Sequence, residues 1–263
     1  MRYFIHLAYD GTNYRGWQFQ PNVVSVQGTI EDRLKSIFKT DITVFGCGRT
    51  DAGVHSSQYF IHINLAEPLT FDLKFRLNKN LPEAIVVYDV IPMNDDQHVR
   101  FDATMRTYDY FIHTEKDILN SKFSSNYDVT ALDIDVVQKA AKMLTSFDDF
   151  IGVCKKPHLY KHTRCNVTHA EVFVDREAKR LRFTITANRF LRGMIRLIVT
   201  NLLNVGKGRI TLEEFEKVFT NKVTIIDTPP AYPSGLFLSK VEYPYLKMES
   251  KSGLLAGLKL GLQ

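Results

Sequence analysis

Along the first hundred residues, apolar and polar positions alternate in short runs, interrupted by one stretch of helical spacing. Residues 2–9 read as a half-buried strand that Asp10-Gly11 ends; a polar loop follows, carrying Asn13, Tyr14, Arg15, Gly16 and the single tryptophan, Trp17. Ile30, Leu34, Ile37 and Phe38 fall at i, i+4, i+7 and i+8, the apolar stripe of a helix, with Ser25 upstream as its cap. Residues 42–45 are a short strand leading into a glycine-rich loop at 46–55, and residues 58–65 return as a strand. A short helix is expected near 71–77 and a strand at 84–90, before a polar connection at 92–96. The second half predicts a strand at 107–113, a helix at 134–144, a hairpin of 170–174 with 181–187, helices at 190–205 and 212–219, and a last strand at 236–241. Two stretches of similar β-α-β-β character imply two α+β domains with antiparallel sheets, joined near residue 100: an N-terminal domain at 1–104, a C-terminal domain at 105–247 and a tail at 248–263.

Composition narrows the class. Hydrophobic residues make up 44% and charged residues 24%, the balance of a globular chain and not of a disordered or collagen-like one. No window approaches the apolar length of a membrane-spanning helix, and the N-terminus lacks the basic-then-apolar pattern of a secretion signal, so a cytoplasmic protein is expected. Three cysteines, Cys47, Cys154 and Cys165, fit a reducing compartment. The formal charge is only +5, but residues 153–196 hold eleven Lys or Arg against three acidic residues, leaving the remainder net acidic. A field concentrated in that way suits a polyanion such as nucleic acid, because each neutralised phosphate releases condensed counterions; a solvated charged face is the plainer alternative.

The loop at 46–55 is the sharpest chemical feature. Gly46, Gly48 and Gly53 surround Arg49, Thr50 and Asp51, so the backbone turns tightly and two opposite charges lie nearly adjacent. The spacing is neither a dinucleotide fingerprint nor a P-loop. By itself Asp51 reads first as an Asx-turn residue, with a catalytic carboxylate as the alternative.

Gly48-Arg49-Thr50-Asp51-Ala52-Gly53-Val54-His55 resembles the motif around the catalytic aspartate of the TruA-type tRNA pseudouridine synthases. Five further matches resemble that family in the same order: residues 9–18, beginning Tyr9-Asp10-Gly11; Val26-Gln27-Gly28-Thr29-Ile30-Glu31; residues 101–110, beginning Phe101-Asp102-Ala103-Thr104; Phe190-Leu191-Arg192-Gly193-Met194-Ile195-Arg196; and Thr228-Pro229-Pro230 with Gly235-Leu236-Phe237-Leu238 at the end. The resemblance implies two RRM-like (ferredoxin-like) α+β domains meeting at a central basic cleft, a tRNA substrate and a homodimer. It also implies isomerisation of uridine on the 3′ side of the anticodon arm, with no cofactor and no metal. Asp51 would be the nucleophile, Arg196 its charge partner, Tyr108 the residue stacking on the target uracil and Arg49 the aid to base flipping. Arg189, Arg192 and Gln18 would contact the substrate.

At ~100° per residue, Arg189, Arg192 and Arg196 share one face of the expected 190–205 helix, a face that is also what a phosphate-binding or solvated stripe would show. Tyr108 on a strand reads first as core, and Arg49 reads equally as a structural partner of Asp51. Cys154, His158, His162 and Cys165 form C-x3-H-x3-H-x2-C, zinc-ligand residue types at compact spacing. A basic RNA-contacting loop is the preferred reading of that segment over a zinc-dependent enzyme. The remaining rival is a catalytically silent tRNA-binding module.

Overall fold

The computed structural model describes residues 1–118, 121–128, 132–175, 179–221, 229–248 and 251. Thr228 of the last motif, the tip of the 175–179 turn and tail residues 252–263 lie outside the described residues. The chain divides into two compact units: Met1–Arg106 with Phe237–Leu258, and Thr107–Leu236. The last strand therefore belongs with the first unit, whereas the sequence placed it in the C-terminal half.

The first unit contains β1 (Arg2–Tyr9), α1 (Val26–Phe38), β2 (Phe45–Gly46), β3 (His55–Asn64), α2 (Leu73–Asn80), β4 (Ile85–Met93) and β9 (Leu236–Glu242, of which Leu236 falls to the other unit). Its strand order is β4-β1-β3-β9, with β2 added to β3. β1 runs antiparallel to both neighbours, pairing Ile5 with Ile61 and with Val90. β3 and β9 are parallel, with His55 opposite Phe237, so the sheet is mixed and not purely antiparallel as expected. Ser25 caps α1 by accepting the Gly28 N–H, a bond that contributes about 1 kcal/mol.

β2 and β3 differ from their expected spans: β2 starts only at Phe45, and β3 begins at His55, three residues early. Ser56 and Ser57, ahead of the expected strand, and Gln58 at its start are all buried. Ser56 Oγ bonds the carbonyls of Gln58 and Leu238, and Gln58 Oε1 accepts the Val241 N–H, which offsets the cost of burying these polar groups. β4 continues through Pro92 because it is an edge strand, where a residue without an N–H leaves no ladder bond unmade.

β1 and β3 are buried on both faces. Tyr3, Ile5, Leu7, Tyr59, Ile61 and Ile63 occupy one side; Phe4, His6, Phe60 and His62 occupy the other, where Tyr243 meets the rings of Phe4 and Phe60 edge-on. His62 lies between the rings of Phe4 and Phe45, with His98 edge-on at 4.6 Å. Burial, reinforced by Arg2 and His98, lowers its pKa to about 3, so it stays neutral.

The second unit holds the body of β5 (Met105–His113), then β6 (Ser125–Asn126), α3 (Ile134–Met143), β7 (Val167–Asp175), β8 (Arg180–Ala187), α4 (Met194–Gly206) and α5 (Leu212–Thr220). Its strand order is β5-β8-β7; β7 and β8 form the expected antiparallel hairpin, with Val172 opposite Phe183, and β6 runs parallel to β5. α3 packs on β7 and on α4 and α5. Val137, Ala140, Ile198, Leu202, Phe215 and Phe219 fill this core. A reciprocal cap at Thr211 and Glu214 starts α5.

α4 begins four residues later than expected, because Gly193 takes φ 72°, a left-handed conformation that no helix interior accepts. Arg189 and Arg192 therefore precede the helix, and the single helical face proposed for Arg189, Arg192 and Arg196 does not exist.

The lowered pKa of His62 sets a pH dependence. Below pH 6.5 the unfolded chain binds a proton that the native chain refuses, so stability falls as pH drops from about 6.5 toward about 3. His6, His98 and His113, also lowered, act in the same direction. The urea midpoint is expected to fall steadily from about pH 7 to about pH 4.5, and His62→Phe should make that fall shallower, by up to about 1.4 kcal/mol per pH unit. An unchanged slope in the variant would contradict the assignment.

Candidate active-site loop

The loop at 46–54 is fixed by a second loop, residues 11–17, that closes on it. Trp17 N–H donates to the Thr50 carbonyl (3.1 Å) and Gly53 N–H to the Tyr14 carbonyl (3.2 Å). Two glycines permit this approach: a Cβ at Gly11 would lie 2.0 Å from the Val54 oxygen, and one at Gly16, whose φ is +93°, would lie 2.6 Å from the Thr50 oxygen. The clasp is anchored to secondary structure on its far side, where Val26 N–H reaches the Gly16 carbonyl and Gln27 N–H the Trp17 carbonyl.

Aromatic packing supports the loop from beneath. Trp17 is buried with its ring 4.3 Å from Tyr59, which meets Tyr9 edge-on at 5.4 Å. Tyr59 Oη donates to the Gly48 carbonyl (2.6 Å), and the Tyr9 and Thr50 hydroxyls share a hydrogen bond of 2.8 Å. Arg106 closes the base by donating from one guanidinium nitrogen to the carbonyls of Cys47 and Arg100. Sequence reasoning assigned Arg106 no role; only its place in the second motif could have flagged it. Burial pushes the Cys47 thiol up to about 11, so it is an inert packing group.

Within this frame the side chains alternate in exposure. Arg49 is exposed, Thr50 buried, Asp51 half-buried and Ala52 exposed. The Asp51 carbonyl accepts the Val54 N–H (3.2 Å), which closes the turn through its backbone and leaves the carboxylate off that bond. An Asx turn is made by Asp10, whose carboxylate accepts from the N–H and the hydroxyl of Thr12. A braced backbone carrying a half-buried acid and an exposed cation is suited to act on a polar substrate with little reorganisation. Gln18 is half-buried and donates to Gln27 Oε1 at 2.8 Å, so its amide helps hold the loop to α1.

In the second unit Tyr108 is buried on β5, with its ring edge-on to Phe190 at 5.0 Å. Arg196, in the first turn of α4, donates from Nε to the Ala231 carbonyl (2.5 Å), and its own carbonyl accepts the Ala231 N–H. This exchange holds its guanidinium through Nε. Arg192 is exposed, and Arg189 places its guanidinium 5.7 Å above the Tyr160 ring. Among the described residues, no three His, Cys, Asp or Glu side chains are grouped as a metal would require, so the Cys154, His158, His162 and Cys165 spacing does not converge into a ligand set. A cavity of about 470 Å³ beside β1 and β4, lined by Tyr3, Phe71, Asp89, Pro92 and Met248, contains none of the candidate residues.

The family model of tRNA pseudouridine synthases matches residues 140–244. A tRNA pseudouridine synthase A of Bacteroides thetaiotaomicron is 42% identical over 262 residues, covering 98% of this chain and 97% of the relative. The corresponding protein of Parabacteroides distasonis is 40% identical, with 92% and 96% covered, and that of Chlorobaculum tepidum 34%, with 91% and 96% covered. The class is thus an isomerase that makes pseudouridine in tRNA. The chain belongs to the tRNA pseudouridine synthase A family.

Gly11→Ala should force the two loops apart, costing about 1–3 kcal/mol in urea unfolding and lowering pseudouridine formation. Gly48→Ala, whose Cβ would meet nothing within 4 Å, should leave stability within about 0.5 kcal/mol. Equal effects from the two substitutions would refute the clasp.

Proposed function

We propose that this chain isomerises uridine on the 3′ side of the tRNA anticodon arm, with the Asp51 carboxylate as the catalytic group. The reaction breaks the N1–C1′ bond, turns the uracil and joins C5 to the same sugar carbon, while the C5 proton leaves to a base. Nothing is oxidised or transferred to another molecule, so the reading requires no cofactor. The observation that carries it is the clasped loop, which immobilises the backbone on both sides of Asp51 while the side chain stays half-exposed between Arg49 and Ala52.

The other roles follow from chemistry. A carboxylate in a closed site loses its nucleophilicity if burial protonates it, so a cation must stand beside it; Arg196, whose guanidinium Nε donates to the Ala231 carbonyl, is the residue proposed for that task. Tyr108 offers a flat ring for the extruded uracil, and exposed Arg49 takes the place of the base or grips its phosphate. Arg189 and Arg192 meet backbone phosphates, and Gln18 supports the loop from the first unit. The reading includes a homodimer and a cytoplasmic location.

Asp51→Asn keeps the shape of the side chain and removes its charge. Pseudouridine formation should fall at least about a thousandfold, while tRNA binds within about threefold of the wild-type affinity. Substantial turnover by the variant would refute the assignment. Binding by the wild-type protein without release of tritium from uridine labelled at C5 would favour a silent tRNA-binding module.

A further inference from the structure

The segment from Phe150 to Thr163 is a compact loop whose two ends meet. Phe150 N–H donates to the Thr163 carbonyl, Cys165 N–H to the Asp148 carbonyl, and the Thr163 hydroxyl to the Asp149 carboxylate. Loops closed in this way are packed by their own residues and are often functional. Val153 is buried at the base, and the outer part is braced against residues 189–193. Lys155 N–H donates to the Arg192 carbonyl, the Tyr160 hydroxyl accepts the Arg192 N–H (2.9 Å), and the Arg189 guanidinium covers the Tyr160 ring.

Two features of this braced loop point to an anion. Lys155, Lys156 and Lys161 are all exposed on it, and Arg192 is exposed on the segment that braces it. No acidic residue occurs between Phe150 and Ala170, so their mutual repulsion is not offset from within the loop. Lys156 adopts φ 59°, a left-handed conformation that favours glycine and costs a lysine about 1 kcal/mol or more. Lys39 and Lys179 take the same conformation, so it bears here only on the choice of substitution at Lys156.

We infer that this loop, with Arg192, is an arm that grips the RNA backbone of the tRNA substrate through its phosphates. The inference rests on the tRNA-directed function proposed above and adds a binding surface outside the Asp51 loop. The contacts are to phosphate, so they supply affinity and salt dependence without reading sequence.

The test is equilibrium binding of a tRNA transcript to the full-length protein across a salt titration. Replacing Lys155, Lys156 and Lys161 together by Gln should weaken binding about tenfold or more at about 0.1 M salt and reduce the salt slope by about two to three units. Replacing Arg33, Lys35 and Lys39 by Gln removes the same charge from α1 and its cap, where Asp32 and Asp41 balance it, and should change affinity less than about threefold. Lys156→Gly separates fold from function: thermal stability should rise or hold while affinity falls. Unchanged affinity and slope in the loop triple, or equal losses in the α1 control, would overturn the arm. Product is scored in the same samples; loop-dependent binding without pseudouridine would support the arm and sink the catalytic reading instead.

Discussion

The first unit depends on the closure of one loop against another with no room for side chains between them. Gly11 and Gly16 bring the backbone of 11–17 against Thr50 and Val54, and Trp17 and Gly53 make the hydrogen bonds that hold it there. Each bond alone contributes only about 1 kcal/mol. Together with the Tyr9, Trp17 and Tyr59 cluster beneath, they leave the chain around Asp51 a single conformation. For the catalytic role proposed for Asp51, that rigidity means the orientation cost is met during folding and not at the reaction step.

The second unit solves a different problem with similar means. Arg196 is held by a two-way exchange with Ala231, and the 150–163 loop by bonds at its root and at Arg192. In both places backbone and side-chain groups share the fixing, and on the 150–163 loop Lys155, Lys156 and Lys161 stay exposed. The concentration of positive charge in 153–196, visible from the sequence, thus corresponds to braced loops and not to one continuous helix face.

Where one face of an element is buried and a cap is present, the sequence was sufficient. β1 has its expected bounds, α1 starts after Ser25 as its spacing implied, and the β7–β8 hairpin follows from alternation on both sides of a polar turn. Legibility failed where tertiary contacts override local pattern. β3 extends back through the polar residues ahead of Gln58, where partners as distant as Leu238 and Val241 take up Ser56 and Gln58. The parallel pairing of β3 with β9 joins residues about 180 apart, and no periodicity encodes it. Gly193 stops a helix that the apolar spacing would have carried back to Phe190. At the site, the octet around Asp51 was conspicuous for its glycines and adjacent charges, but Arg106, a single cation ahead of a strand, gave no local signal that it ties down Cys47.

The central claim is that the clasp delivers the Asp51 carboxylate to a uridine taken out of its helix. A crystal structure of this chain bound to tRNA carrying 5-fluorouridine at the target position tests it most directly. The account predicts an extruded nucleotide with the Asp51 carboxylate within bonding or hydrogen-bonding reach of its ribose or ring. A complex with every anticodon-arm uridine stacked, or with another acidic side chain at the extruded sugar, would contradict it.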